Sequence, residues 1–145
     1  MTSLSSIVTG STMSAPRVLL YGPAGVGKTT FGASAPAPIF IQTEDGADVV
    51  GADRFPVAES YQDVETAIGT LAKEDHQYGT VVVDSLDWLE TLIWQRVCQV
   101  HKCNSIEDLG YGKGYVHAVD IWRSFLDGLN HLRKNKGMAV IMLAH

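Results

Sequence analysis

The feature that most restricts this chain is the octapeptide Gly22-Pro23-Ala24-Gly25-Val26-Gly27-Lys28-Thr29, set between an apolar run and a short helical segment. The run Arg17-Val18-Leu19-Leu20-Tyr21 reads as a buried parallel strand that Gly22 ends. The helix after the loop must be short, because Pro36 cannot continue it and disfavours helical geometry at Ala35. A strand, a Gly-x-x-x-x-Gly-Lys-Thr loop and a helix together make a phosphate-binding loop. Glycines let successive backbone N–H groups point inward at phosphate oxygens. A helix starting near Lys28 adds its positive dipole end. Lys28 can place its charge on the β- and γ-phosphates of a nucleoside triphosphate, and the Thr29 hydroxyl can ligate Mg²⁺. The bland alternative is a glycine-rich turn, and the strand and helix on either side argue against it. The candidate nucleotide-binding residues are Gly22, Pro23, Ala24, Gly25, Val26, Gly27, Lys28, Thr29 and Thr30.

Other apolar runs predict how the loop is carried. Pro38 to Thr43 reads as a second strand ending at Glu44-Asp45-Gly46, and Phe55 to Ala58 as a brief edge strand, given Pro56. Val64, Ile68, Leu71 and Ala72 recur at helical spacing, which predicts a helix over 61–75. Thr80-Val81-Val82-Val83-Asp84 is the strongest buried-strand signal in the chain. Ser85 can cap the next helix, whose apolar stripe runs Leu86, Leu89, Ile93, Val97, Val100. A polar, glycine-rich loop from Asn104 to Gly114 follows. A second long helix carries Val119, Trp122, Leu126, Leu129 and Leu132 and stops at Gly137, and Met138 to Ala144 forms a last buried strand. Alternating strands and helices give an α/β domain with a mainly parallel sheet over 16–145. Residues 1–15, rich in Ser and Thr, read as a flexible arm.

In open α/β sheets ligands sit beyond the carboxyl ends of the strands. Asp84 stands there and can hold Mg²⁺ or its bound water; otherwise Asp84 and Ser85 merely cap a helix. Asp87, one turn into that helix, is a weaker substitute. Glu44 ends the second strand, where a carboxylate can polarise a water for attack on the γ-phosphate. Turn chemistry around Asp45-Gly46 explains it equally well. His145 ends the last strand on the same side of the sheet, and on spacing alone it reads as a solvated terminal histidine.

Composition removes other classes. A net charge of −5 gives no bulk positive field to gather nucleic acid or anionic membrane. Two cysteines, Cys98 and Cys103, imply no disulfide scaffold and favour a reducing, cytoplasmic setting. No apolar run approaches the roughly 20 residues of a membrane helix. Cys98, His101 and Cys103 offer too few ligands for a structural zinc. His131, Arg133, Lys134 and Lys136 suit a helix C-terminal dipole better than DNA. Gly110 to Tyr115, with Lys113 between tyrosines, reads either as a loop touching nucleic acid or a neighbour, or as a solvated connector. Asn135-Lys136-Gly137-Met138 lacks the aspartate that would read guanine, and no Arg-rich lid suggests a small-molecule kinase.

With these residues in hand, the chain resembles the RecA-like branch of P-loop ATPases, and more narrowly the AAA-type ATP-binding proteins of bacteriophages, some of which are single-strand annealing recombinases. The resemblance covers about 16–145. It rests on Leu20 to Thr30, Ile39 to Gly46, Val81 to Leu86, Gly110 to Tyr115 and Leu143-Ala144-His145. It implies a three-layer α/β fold of the RecA-like (ASCE) kind, Mg-ATP as ligand or substrate, and Thr29 and Asp84 as Mg²⁺ residues. It also implies catalytic roles for Lys28 and Glu44, a phosphate-sensing role for His145, and a homo-oligomer with single-stranded DNA as a possible partner. In such proteins a cationic finger comes from a neighbouring subunit. Related domains continue with a further strand beside the P-loop strand, so the expectation is a fragment of a longer protein, cut after its fourth core strand, acting in the (host) cytoplasm. A nucleotide-binding switch or assembly module with little hydrolysis is the alternative function.

Overall fold

The computed structural model describes residues 2–46 and 50–145; residue 1 of the arm and residues 47–49 of the core lie outside it. The elements are β1 (Arg17–Tyr21), α1 (Lys28–Ala33), β2 (Pro38–Gln42), β3 (Asp53–Arg54), α2 (Tyr61–Lys73), β4 (Thr80–Asp84), α3 (Leu86–His101), α4 (Lys113–Lys136) and β5 (Ala139–Ala144). The strands form one parallel sheet in the order β1-β5-β4-β2-β3. This is an α/β, P-loop NTPase-like fold. β5, last in sequence, inserts between β1 and β4, with Tyr21 opposite Ala144 and Asp84 opposite both Leu143 and Gln42. The carboxyl ends of β1, β5, β4 and β2 therefore stand in a row.

The sheet separates two apolar layers. On one face Ile39, Ile41, Val81, Val83, Val140 and Met142 pack against α2, α3 and α4. On the other, Phe40, Val82, Ile141 and Leu143 pack with Val18, Leu20 and residues at the end of α1. With both faces covered, Val81, Val82 and Val83 are wholly buried, which is why β4 reads as an unbroken apolar run. Gly32 lets α1 lie close to the sheet, since a Cβ there would meet Val82 Cγ1 at 2.8 Å. Ser60 caps α2, its hydroxyl accepting from the Asp63 N–H at 3.2 Å, and Gly137 ends α4 in the left-handed region at φ 65°.

Several sequence expectations are corrected. The edge strand beside β2 is Asp53–Arg54, not Phe55 to Ala58, and β1, expected to be a buried strand, forms the opposite edge with Leu19 and Tyr21 exposed. Phe55 to Ala58 still run beside β2, with the Phe55 and Ala58 N–H groups donating to Phe40 O and Gln42 O at 2.9 Å. The helix predicted over 61–75 closes at Lys73. Val100 and Val119 fall off the buried stripes of α3 and α4 and face solvent, whereas Ala118 and Phe125 are buried instead. A 3₁₀ turn, Ile106–Leu109, occupies part of the predicted loop, and the arm carries another at Leu4–Ser6. Ser85 occupies the N-cap position of α3, yet its hydroxyl makes no cap bond. Among the described residues, no helix is long and apolar enough to cross a membrane.

Candidate nucleotide site

The loop after β1 turns through Gly25 (φ 79°) and Gly27 (φ 106°), a left-handed geometry that glycine adopts without side-chain strain, and delivers Lys28 and Thr29 to the first turn of α1. It opens on a cleft of about 470 Å³, faced by Lys28 and Thr29 from α1, Glu44 from beyond β2, Asp84 from β4 and His145 from beyond β5. Ala24, Gly25, Gly27 and Thr30 also line it. Gly22, Pro23 and Val26 do not. The Gly22 and Pro23 carbonyls accept hydrogen bonds from Lys28 Nζ at 2.5 and 2.9 Å, and the Val26 side chain points to solvent. The Lys28 side chain is thus folded back along the loop, with only 7% of the residue exposed.

Asp84 lies one strand away from the loop, because β5 separates β4 from β1, and α1 spans that gap. The Thr29 hydroxyl donates to Asp84 Oδ2 at 2.8 Å. Burial pushes the Asp84 carboxyl above its ordinary value and the Glu44 carboxylate pushes the same way; the Thr29 bond, His145 and Lys28 pull it back. Asp87 is otherwise engaged: its two carboxylate oxygens accept from the His145 N–H at 3.3 and 3.2 Å. Glu44 Oε1 is 3.0 Å from His145 Nε2.

Thr43 also belongs to this end of the sheet, although no sequence signal singles it out. Its hydroxyl donates to Ser85 O at 2.7 Å and accepts from the Ser85 N–H at 3.0 Å, and its own N–H donates to Asp84 O at 2.8 Å. The hydroxyl of Ser85 itself is buried with no partner, alone in this among the described residues. No periodicity marks a threonine for such a bridge, because its partner lies 42 residues away.

The cysteine–histidine group, the basic cluster and the Gly110–Tyr115 segment lie apart from the cleft. Cys98 and Cys103 lie side by side, with the Cys103 N–H donating to Cys98 O at 3.0 Å, but His101 does not join them: it stacks on His117 with ring centroids 4.0 Å apart, and no set of three metal-ligating side chains gathers among the described residues. In the basic cluster, Arg133 Nε donates to Ala15 O at 2.8 Å and Lys136 Nζ to Glu74 O at 3.2 Å, so two of its members tie α4 to neighbouring segments. Tyr111 is fully exposed between Gly110 and Gly112, while the Tyr115 ring meets Trp94 edge-on at 5.7 Å.

The profile of a known family, described as an AAA domain, matches residues 14–145, nearly the whole chain. The chain belongs to the AAA domain family. A curated relative of this AAA domain is the SPbeta prophage-derived uncharacterized protein YorG of Bacillus subtilis (strain 168), 24% identical over 134 residues. The match takes in 88% of the chain but only 40% of the relative's length. No solved structure matches significantly. AAA-type ATPases generally use Mg-ATP. The local chemistry fits that ion, since the Thr29 hydroxyl and the Asp84 carboxylate are hard oxygen donors already within 2.8 Å of each other.

Proposed function

We propose that this AAA domain binds Mg-ATP in the cleft between the Gly22–Thr29 loop and the ends of β2, β4 and β5, and hydrolyses it. The observation that carries this is the meeting, in one cleft, of a phosphate-loop lysine and threonine with two carboxylates from separate strands. In this reading the loop amides and Lys28 hold the β- and γ-phosphates, the lysine exchanging two loop carbonyls for phosphate oxygens. Thr29 and Asp84 would hold Mg²⁺, whose charge offsets that of the phosphates. Glu44 orients and deprotonates the attacking water, and His145, bonded to it, links the occupancy of the cleft to the end of β5.

We further propose a RecA-like role in phage DNA recombination or single-strand annealing, in the host cytoplasm and as a homo-oligomer. The prophage origin of the relative supports the phage setting. Among the described residues no arginine lines the cleft, which supports a charge-neutralising finger supplied by a neighbouring subunit. A second reading is a nucleotide-controlled switch with little turnover. It draws support from the Lys28 and Glu44 side chains, both already engaged by protein partners.

Two measurements test these readings. Calorimetry with Mg-ATP should give binding heat that Lys28→Ala abolishes, and no heat from the wild type sinks the nucleotide reading. Phosphate release should rise with single-stranded DNA. An unchanged rate removes the recombination role, and binding without any release favours the switch.

A further inference from the structure

We infer that Thr43 is a positioning residue, a side-chain clamp that sets the spacing of the two carboxylates Asp84 and Glu44; the inference rests on the roles proposed for them above. The β2–β4 ladder ends at the pair Gln42–Asp84, followed on the two strands by Thr43 and Ser85. Beyond that point a single backbone bond still joins the two strands, because one turns into a loop and the other into α3. Thr43 continues the ladder with its side chain. Its backbone N–H bonds Asp84 O at 2.8 Å, and its hydroxyl serves both the N–H and the C=O of Ser85, at 3.0 and 2.7 Å.

Three bonds from one residue, 7% exposed, thus join the residue before Glu44 to Asp84 and to the residue after it. A hydroxyl is required for this. It is both donor and acceptor, and a β-branched side chain holds it in a restricted set of rotamers. Valine has the same shape and neither function; serine has both functions with a freer χ1. A metal-binding carboxylate and a water-orienting one work only at a fixed separation, and an error near 1 Å can cost on the order of 100-fold in rate. Hydrogen bonds at two strand ends supply that separation here, and Thr43 itself does not line the cleft. Ser85 is the counterpart of the clamp, engaged through its backbone alone.

The test compares wild type, Thr43→Val and Thr43→Ser for steady-state Mg-ATP hydrolysis, for nucleotide affinity with and without Mg²⁺, and for hydrogen exchange at the Ser85 amide. The clamp predicts that Thr43→Val lowers kcat by at least about tenfold while KM and Mg²⁺-free nucleotide affinity stay within about twofold. It also predicts a Ser85 amide that exchanges much faster, with Thr43→Ser recovering most of both losses. Equal kcat in wild type and Thr43→Val overturns the inference. So does a parallel loss of kcat and Mg²⁺-free affinity, which signals general damage to the fold. If Thr43→Val does not fold, Thr43→Ser and Thr43→Cys, graded in hydrogen-bond strength, must still rank kcat in the order Thr, Ser, Cys. A wild type that binds Mg-ATP without turnover overturns the hydrolysis reading alone. The clamp then stands or falls on Mg²⁺-dependent tightening of nucleotide binding, which Thr43→Val must weaken and Thr43→Ser restore.

Discussion

His145 Nε2 and Glu44 Oε1 are 3.0 Å apart across 101 residues of sequence, and β4 lies between the two strands that carry them. The pair arches over the end of β4, where Asp84 accepts from Thr29. The candidate base and the candidate metal carboxylate therefore occupy one electrostatic unit, and the Glu44 charge is felt at Asp84.

Glu44→Gln keeps the size of the side chain and removes its basicity. Hydrolysis should fall by roughly 10²–10⁴-fold, the usual contribution of a positioned general base, with Mg-ATP affinity nearly unchanged. Phosphate release set beside calorimetry measures the split. An undiminished rate would take the catalytic role away from Glu44.

His145→Ala removes a partner that sits at the protein surface, so stability should change by less than about 1 kcal/mol. Turnover should respond far more than stability, because Glu44 loses the group that orients it. Thermal melts and kcat on the same preparation separate the two effects. A large drop in melting temperature with kcat intact would make the pair structural.

Asp84 binds its proton more tightly in the folded chain than in the unfolded one, chiefly through burial. Its contribution to stability is fully present below the ordinary value of 3.8 and is lost as pH rises through the raised folded value. At neutral pH the ionised carboxylate thus destabilises the nucleotide-free protein. Asp84→Asn should raise the neutral-pH melting temperature and abolish the Mg²⁺-dependent part of nucleotide affinity. A variant that melts lower, with Mg²⁺ dependence preserved, contradicts both halves.

Gly32→Ala places a methyl group 2.8 Å from Val82 Cγ1, and Val82 is wholly buried and cannot yield. Overpacking of this kind costs about 1–3 kcal/mol, offset in part by better helix propensity, roughly 1 kcal/mol. The expected result is a lower melting temperature together with weaker nucleotide binding, since α1 carries Lys28 and Thr29. Unchanged stability would mean that α1 shifts freely on the sheet.

Tyr61 is pushed up from 10.0 to about 12, first by burial and then by Glu65, with Arg96 opposing. Its folded value lies above the unfolded one, so its contribution is present below pH 10 and is lost as pH rises from 10 towards 12. Denaturant melts across that window should show falling stability, and Tyr61→Phe should flatten the fall.

Local chemistry alone was enough for the loop and the fold class. The glycine pattern, Pro36 after a short helix, and the valine run of β4 each act within a few residues of themselves, so they are legible in a linear chain. The carboxyl-end placement of Asp84, Glu44 and His145 followed from strand polarity. Three things needed the folded chain. Asp53–Arg54 pairs where Phe55 to Ala58 was expected, because an edge register depends on the neighbouring strand. Val100 and Val119 face outward because helix packing, and not periodicity, selects the buried stripe. The Glu44–His145 and Thr43–Ser85 bonds depend on the strand order β5-β4-β2, which brings residues 101 and 42 positions apart into hydrogen-bond range. Residue types declare what a side chain can do; only the sheet order, set by burial on two faces at once, decides what it meets.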